Sequence, residues 1–387
     1  MDFRVPEELE ALRESFDAFL QREVRPAEER LAEPLRTGEH DAEVAEAQRE
    51  IRRRSCEEGF YAAHMPEEVG GWGLSNLGMT LLVEHAASSG LRLALAALGP
   101  PNPAAPTPLL LHLPEHLRER YLAPLMRGEQ TMCFALTEPE AGSDAQSIRT
   151  RAVRDGDSWV LDGKKHYITN AAGADFAVLF AVTDPERRAH GGITAFLVPR
   201  DAYEVGATQM TMADTHPAEL LLEGARIPAD HVLGEVGYGF YHAMEFLNAG
   251  RAFIGAQCLG LSEWCLAQAV EHARTRTAFG KPLAAKQAVS HPLADCRSEL
   301  EALRWLIYQL AWQLDQGEQP MRDASIVKLL ATERGYRVAD RCLQVFGGQG
   351  LLTDGPVEAA LRHMRMLRVV EGASEVQRVV IARSMGL

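Results

Sequence analysis

Several short stretches of the 387-residue chain gather side chains able to do chemistry. In RVVEGASEVQRVVIAR (368–383), Glu371 stands just ahead of a segment with helical periodicity. A carboxylate there either accepts a proton or is a first-turn charge favoured by the helix macrodipole. HARTRTAFGKPLAAKQ (272–287) carries Arg274, Arg276 and Lys281. A guanidinium fork pairs with phosphate oxygens, although the same cluster suits a solvated helix end. CFALTEPEAGSDAQSIRTRA (133–152) offers the Thr137 hydroxyl and the Gly142–Ser143 backbone, which could approach an anion closely or simply turn after a strand. Tyr167 and Thr169 in DGKKHYITNA (162–171) read, taken alone, as part of a strand. Gly347 and Gly348 in QVFGGQGLLTDGPVE (344–358) suit both a helix C-cap and a backbone-lined loop. Metal chemistry is not indicated. Pro114 separates His112 from His116, no helical His-Glu-x-x-His occurs, and the six cysteines include no Cys-x-x-Cys.

Composition bounds what those residues serve. The length allows a large buried volume, enough for a bulky cofactor. At 46% apolar and 24% charged residues the chain reads as globular and soluble, with no stretch able to span a bilayer. A formal net charge of −14 excludes general affinity for nucleic acid or anionic lipid, so an anionic ligand must be met by local cations. The scattered cysteines are expected to be buried free thiols, and the acidic, periodic N-terminus carries no targeting pattern, which makes the cytoplasm the expected compartment.

Periodicity places the motifs. Apolar residues three and four apart predict amphipathic helices in EELEALRESFDAFLQREV and DAEVAEAQREIRRRSCEEGF, then a loop at 66–75 and a helix over 76–98 that the proline-rich run 99–108 must end. Near Thr131 the period changes to two. TMCFALT, SWVLDGKKHYIT, FAVLFAV, ITAFLVP and AELLLEGARIP predict strands, with hairpin-type turns at Asp155-Gly156 and Asp162-Gly163. Helical period returns over 238–274, 291–316, 322–346 and 374–385. Helices, then strands, then helices predict an α+β fold: an N-terminal all-helical domain (1–128), a middle antiparallel, barrel-like β domain (129–236) and a C-terminal four-helix bundle (237–387). No Gly-x-Gly-x-x-Gly follows a strand, so a Rossmann fold is unsupported.

These motifs, in this order from MPEEVGGWGLS to VVEGASEVQRVVIAR, resemble the acyl-CoA dehydrogenase family over essentially the whole chain. The resemblance implies FAD as cofactor and conversion of an acyl-CoA thioester to its trans-2-enoyl-CoA, in the manner of fatty acid β-oxidation. It also implies a homo-oligomer, a dimer of dimers, and an electron-transferring flavoprotein as acceptor. By the same resemblance Glu371 is the base that removes the α-proton. Thr137 bonds the flavin ring beside Phe134 and Leu136, while Gly142 and Ser143 approach the FAD pyrophosphate or the pantetheine of the substrate. Tyr167, Ile168 and Thr169 lie against the flavin, with Tyr167 where the family usually has Trp. Arg276, Phe279 and Gln287 meet the FAD diphosphate and adenine across a subunit boundary, with Gln344, Gly347, Gly348 and Ser374 completing the cofactor set. Arg251 and Gly372 join Ser143 at the substrate. Some members carry the base on an earlier helix just before an Arg; the matching positions are Gly250 and Arg251, and glycine accepts no proton.

The chain also departs from the pattern. Val370 stands where Tyr is common, Ala373 and Glu375 replace Thr and Gln, and Ala213 and Pro217 stand where Arg and Thr are frequent. These changes put acyl-group range and FAD affinity in doubt. Rival readings are an acyl-CoA oxidase, whose usual greater length argues against it, and a non-catalytic FAD-binding subunit of a hetero-oligomer. A flavin monooxygenase on this scaffold has no need of Glu371.

Overall fold

The computed structural model describes residues 4–37, 41–213, 215–353, 355 and 357–387, so Asp354 and Pro356 of the 344–358 stretch lie outside it. The chain divides into two compact units: 1–55, 74–101 and 248–387 form one, and 56–73 with 102–247 form the other. The segment expected as one N-terminal helical domain thus contributes to both.

The first unit is helical. Helix α1 (Glu7–Phe19) opens with Glu7, Glu8 and Glu10, which complement the macrodipole, and buries Phe16 and Phe19. Helix α2 (Asp41–Glu57) follows, then α3 (Asn76–Ser88), capped by Ser75, whose Oγ accepts from Gly78 N at 3.0 Å. The helix expected over 76–98 stops at Ser88: Gly90 adopts a left-handed φ of 75°, and only a short 3-10 turn at Ala94–Ala97 follows. Helix α4 (Gly239–Thr275) begins in the second unit and continues through the first. A Cβ on its Gly260 would stand 2.2 Å from Glu84 O, so glycine is what lets α4 and α3 approach backbone to backbone. Helices α5 (Gln287–Asp315), α6 (Met321–Val345), α7 (Glu358–Leu367) and α8 (Ser374–Ser384) complete the unit, with α6 packed against α5, α7 and α8. No helix among the described residues is long and apolar enough to cross a membrane.

The second unit is built on a seven-stranded sheet: β1 (Met132–Ala135), β2 (Arg151–Asp155), β3 (Ser158–Ile168), β4 (Phe176–Val182), β5 (Ile193–Pro199), β6 (Glu204–Thr208) and β7 (Ala218–Pro228). The order is β1-β4-β2-β3-β7-β6, with β5 also on β4. Pairing is mostly antiparallel, as expected, but β1 runs parallel to β4, and a single bridge joins β2 to β4 in parallel. FAVLFAV is an unbroken apolar run because β4 is covered on both faces. Phe176, Val178 and Phe180 join one core, and Ala177, Leu179 and Ala181 the other. Asp155-Gly156 turns β2 into β3, whereas Asp162-Gly163 lies inside β3 at a shift in its register with β7 and is not a hairpin turn. A Cβ on Gly163 would meet Thr150 Cα at 2.7 Å, so glycine there serves close packing.

Candidate active site

Glu371 lies in the short connection between α7 and α8, at a left-handed φ of 53°, followed by Gly372 at 91°. A non-glycine residue in that region costs about 1–2 kcal/mol, so the surroundings must hold it. They do so through the neighbouring carbonyl: Gly372 O accepts from Lys328 Nζ at 2.8 Å and from Gln377 Nε2 at 2.7 Å. On the other side, Glu333 of α6 accepts from Arg368 Nε at 3.0 Å and from Ser374 Oγ at 2.6 Å. The Ser374 hydroxyl, expected at the cofactor, donates to Glu333 and is 2% exposed.

The Glu371 Oε2 is buried and, among the described residues, has no hydrogen-bond partner; it stands 2.9 Å from where a Cβ on Gly250 would be. Burial pushes the carboxyl pKa up to about 7, against the opposing pull of Lys328 and Arg251. Arg251, on α4, is buried and donates to Asn248 Oδ1 at 2.8 Å, and burial lowers its pKa while Glu371 raises it. A carboxylate that titrates near neutrality with unengaged lone pairs can take a proton from a weak carbon acid placed beside it. Val370 is half-buried, and Glu375 is exposed with Arg378 Nη1 at 3.9 Å, one turn along α8.

In the sheet unit, the ends of β1 and β3 are locked together. Lys165 Nζ donates to Leu136 O at 3.0 Å and to Glu138 Oε1 at 2.8 Å, and His166 N donates to Thr137 O at 2.9 Å. Glu138 also accepts from the backbone N–H groups of Arg149 at 2.6 Å and Thr150 at 2.9 Å. Burial alone would raise Glu138, but the Lys165 charge and these bonds hold it below the usual carboxylate range. Burial lowers Lys165 to about 8 against the pull of Glu138. From this frame Tyr167, at φ 55° and 61% exposed, and Thr169 are presented to the outside. Thr137 is half-buried, and Gly142 and Ser143 are exposed. Leu136 and Ile168 are buried and have only backbone to offer a ligand, and Phe134 stacks on Phe246 with centroids 4.6 Å apart.

The remaining expected residues sit at one end of the helical unit. Arg276 and Gln287 are exposed, and Phe279, at φ 53°, stands at the tip of a two-residue-strand hairpin, 96% exposed, with Lys286 Nζ 5.1 Å from its ring centroid. Phe346 packs on His272 with centroids 4.5 Å apart, which brings the stretch holding Gln344, Gly347 and Gly348, all exposed, to the Arg276 end of α4.

Lys165, Glu138, Lys328, Gln377 and Glu333 escape a search for motif residues. The available signal was a charge at an apolar position: Lys165 alternates with Trp159 and Leu161 along β3 after the shift at Gly163, and Lys328 lies among the buried Ala324, Val327 and Ala331 of α6.

The chain matches family models for the acyl-CoA dehydrogenase N-terminal domain over residues 6–129, middle domain over 133–223 and C-terminal domain over 237–386. It is 36% identical over 349 residues to a 3-(aryl)acrylate reductase of Clostridium sporogenes, across 88% of this chain and 91% of the relative. Butyryl-CoA dehydrogenase of Megasphaera elsdenii is similar in structure, with a TM-score of 0.87 at 30% identity across 100% of both chains. A chain from a structure described as the electron transferring flavoprotein of Acidaminococcus fermentans gives 0.88 at 31% identity, across 100% of this chain and 99% of that one.

Proposed function

We propose, from the premise that this chain belongs to the acyl-CoA dehydrogenase family and is an oxidoreductase of that kind, that it dehydrogenates an acyl-CoA thioester between Cα and Cβ with Glu371 as the base. The carrying observation is Glu371 Oε2, buried and without a partner among the described residues, on a carboxyl raised to about 7. Its Oε2 takes the α-proton. Charge that develops on the thioester carbonyl needs a donor, and among the described residues no protein acceptor takes the Glu371 backbone N–H, which leaves it available for that oxygen. Arg251 and Lys328 favour the ionised carboxylate before the proton arrives.

Members of this family are flavoproteins, and FAD suits the residues present. The rigid ends of β1 and β3 offer the hydroxyls of Thr137 and Thr169 and the exposed Tyr167 ring to a planar heterocycle, and Arg276 suits a diphosphate. A bound flavin supplies the acceptor for the β-hydrogen and its electron pair. Phe279, 96% exposed in one chain, argues for a neighbouring subunit at that end, in keeping with a homo-oligomer. Beside β5, a cavity of about 480 Å³ lined by Arg187, His190, Tyr238, Tyr241, His242 and Glu245 sets one guanidinium beside two aromatic faces, a chemistry suited to the nucleotide end of coenzyme A. An electron-transferring flavoprotein is the proposed acceptor.

The test is to mix FAD-loaded protein anaerobically with straight, branched and aryl-bearing acyl-CoA thioesters and follow flavin absorbance. Bleaching by one class, abolished in Glu371→Gln, is expected. Stoichiometric FAD without bleaching by any thioester would favour the non-catalytic subunit.

A further inference from the structure

Lys328 is 0% exposed in the interior of α6, where an ammonium group is expensive to desolvate. A backbone carbonyl does not require a buried charge as its partner, yet the hydrogen bond of Lys328 among the described residues goes to Gly372 O. The Glu371 carboxylate lies close enough for each group to stabilise the charge of the other, without a hydrogen bond or ion pair between them among the described residues. The carboxylate thereby gains a counter-charge while its lone pairs stay free for substrate. From this geometry we infer that Lys328 is a positioning residue for Glu371: its bond to Gly372 O, shared with Gln377, fixes the left-handed turn, and its ammonium holds the carboxylate ready to accept a proton. This rests on the assignment of Glu371 as base.

The other charged and titratable groups facing this pair are Arg251 and Cys258 from α4, and Glu333 from α6. Arg251 stays charged, Cys258 is pushed up to about 12 by burial and is a neutral thiol, and Glu333 is engaged by Arg368 and Ser374. Lys328 therefore joins a neutralisable positive charge to a bond on the carbonyl next to Glu371, whereas the Glu333 carboxylate is bonded to Arg368 and Ser374, which flank the turn. Lys328 itself is brought down to about 8 by burial, so the counter-charge fades as pH rises past that value.

The experiment reads the Glu371 carboxyl directly, by carbon-13 NMR of glutamate-labelled protein, as the resonance missing from Glu371→Gln. Lys328→Met should raise its titration midpoint by about one pH unit, a tenfold rise in proton affinity. Gln377→Leu, which removes the bonds to Glu371 O and Gly372 O but no charge, should move it by only about a few tenths. In turnover, Lys328→Met should lower kcat and shift its rising limb to higher pH, with little change in KM. A purely structural lysine would instead lower activity evenly at all pH. The reciprocal measurement needs no change at 328: Glu371→Gln should lower the Lys328 Nζ midpoint by the same amount, because the coupling is mutual. An unmoved midpoint in both directions overturns the inference. Turnover that survives Glu371→Gln would instead remove the base assignment, and the two midpoints would still decide whether Lys328 governs Glu371.

Discussion

The two units each hold a buried lysine near a glutamate, and use it in opposite ways. In the sheet, Lys165 bonds Glu138 directly at 2.8 Å, and backbone N–H groups occupy the remaining capacity, so the acid is held below its ordinary range. Among the helices, Lys328 bonds the carbonyl next to Glu371, and the acid rises to about 7. A fully bonded buried pair fixes backbone and has no chemistry left to do. A charge supported from the side leaves a carboxylate able to react. Both lysines are fully buried, and what separates the pairs is where the lysine's hydrogen bond goes and how far the acid's own bonds offset its burial.

The comparison breaks most visibly at Glu371. Glu371→Gln should lower the rate of thioester-driven flavin reduction by roughly 10²–10⁴-fold, measured by stopped-flow absorbance. In the wild type that rate should rise with pH to a plateau above about 7, since the base must be ionised. The same variant should stabilise the fold at alkaline pH. Because the folded pKa of Glu371 lies above the unfolded value, its stabilising contribution is complete below about 4.5 and is lost as pH rises through about 7. A neutral amide escapes that loss, worth roughly 3 kcal/mol at pH 9, and urea midpoints at pH 4 and pH 9 would reveal it.

The sheet pair should respond in the reverse sense. Lys165→Met strands a buried carboxylate and should cost about 3–5 kcal/mol, with loss of bound FAD, whereas adding Glu138→Gln should restore most of the stability. If the double variant is no better than the single one, the pair is not the lock described above. A smaller effect is expected at Gly250, where alanine would crowd Glu371 Oε2 at 2.9 Å. Gly250→Ala should reduce turnover by about tenfold, near 1.4 kcal/mol of barrier, with the melting temperature little changed.

Much of this architecture was legible in the sequence because periodicity reports burial. The four long C-terminal segments begin and end within a few residues of the predicted bounds, although α5 starts at Gln287 and contains Pro292 in its first turns, whereas the helix expected over 76–98 stops well short, at Ser88. The departures have local causes. β2 and β6 carry mostly exposed residues and lack an apolar signature, and Gly163 marks a shift in register where a turn was expected. Parallel pairing of β1 with β4 joins strands distant in sequence, which alternation cannot encode. Glu371 was found through its motif, but its free oxygen depends on Gly250, more than a hundred residues earlier, and on a lysine placed where a helix pattern calls for an apolar residue.

The left-handed backbone at Glu371 has a consequence for how variation at that position is scored. In a library substituted at every site and sorted separately for folded yield and for turnover, most positions should fall on one trend, since damage to the fold also damages the catalyst. Position 371 should fall off it: glycine relieves the φ of 53° and removes the buried acid, giving more folded protein and no product. Selection on abundance alone would discard this glutamate.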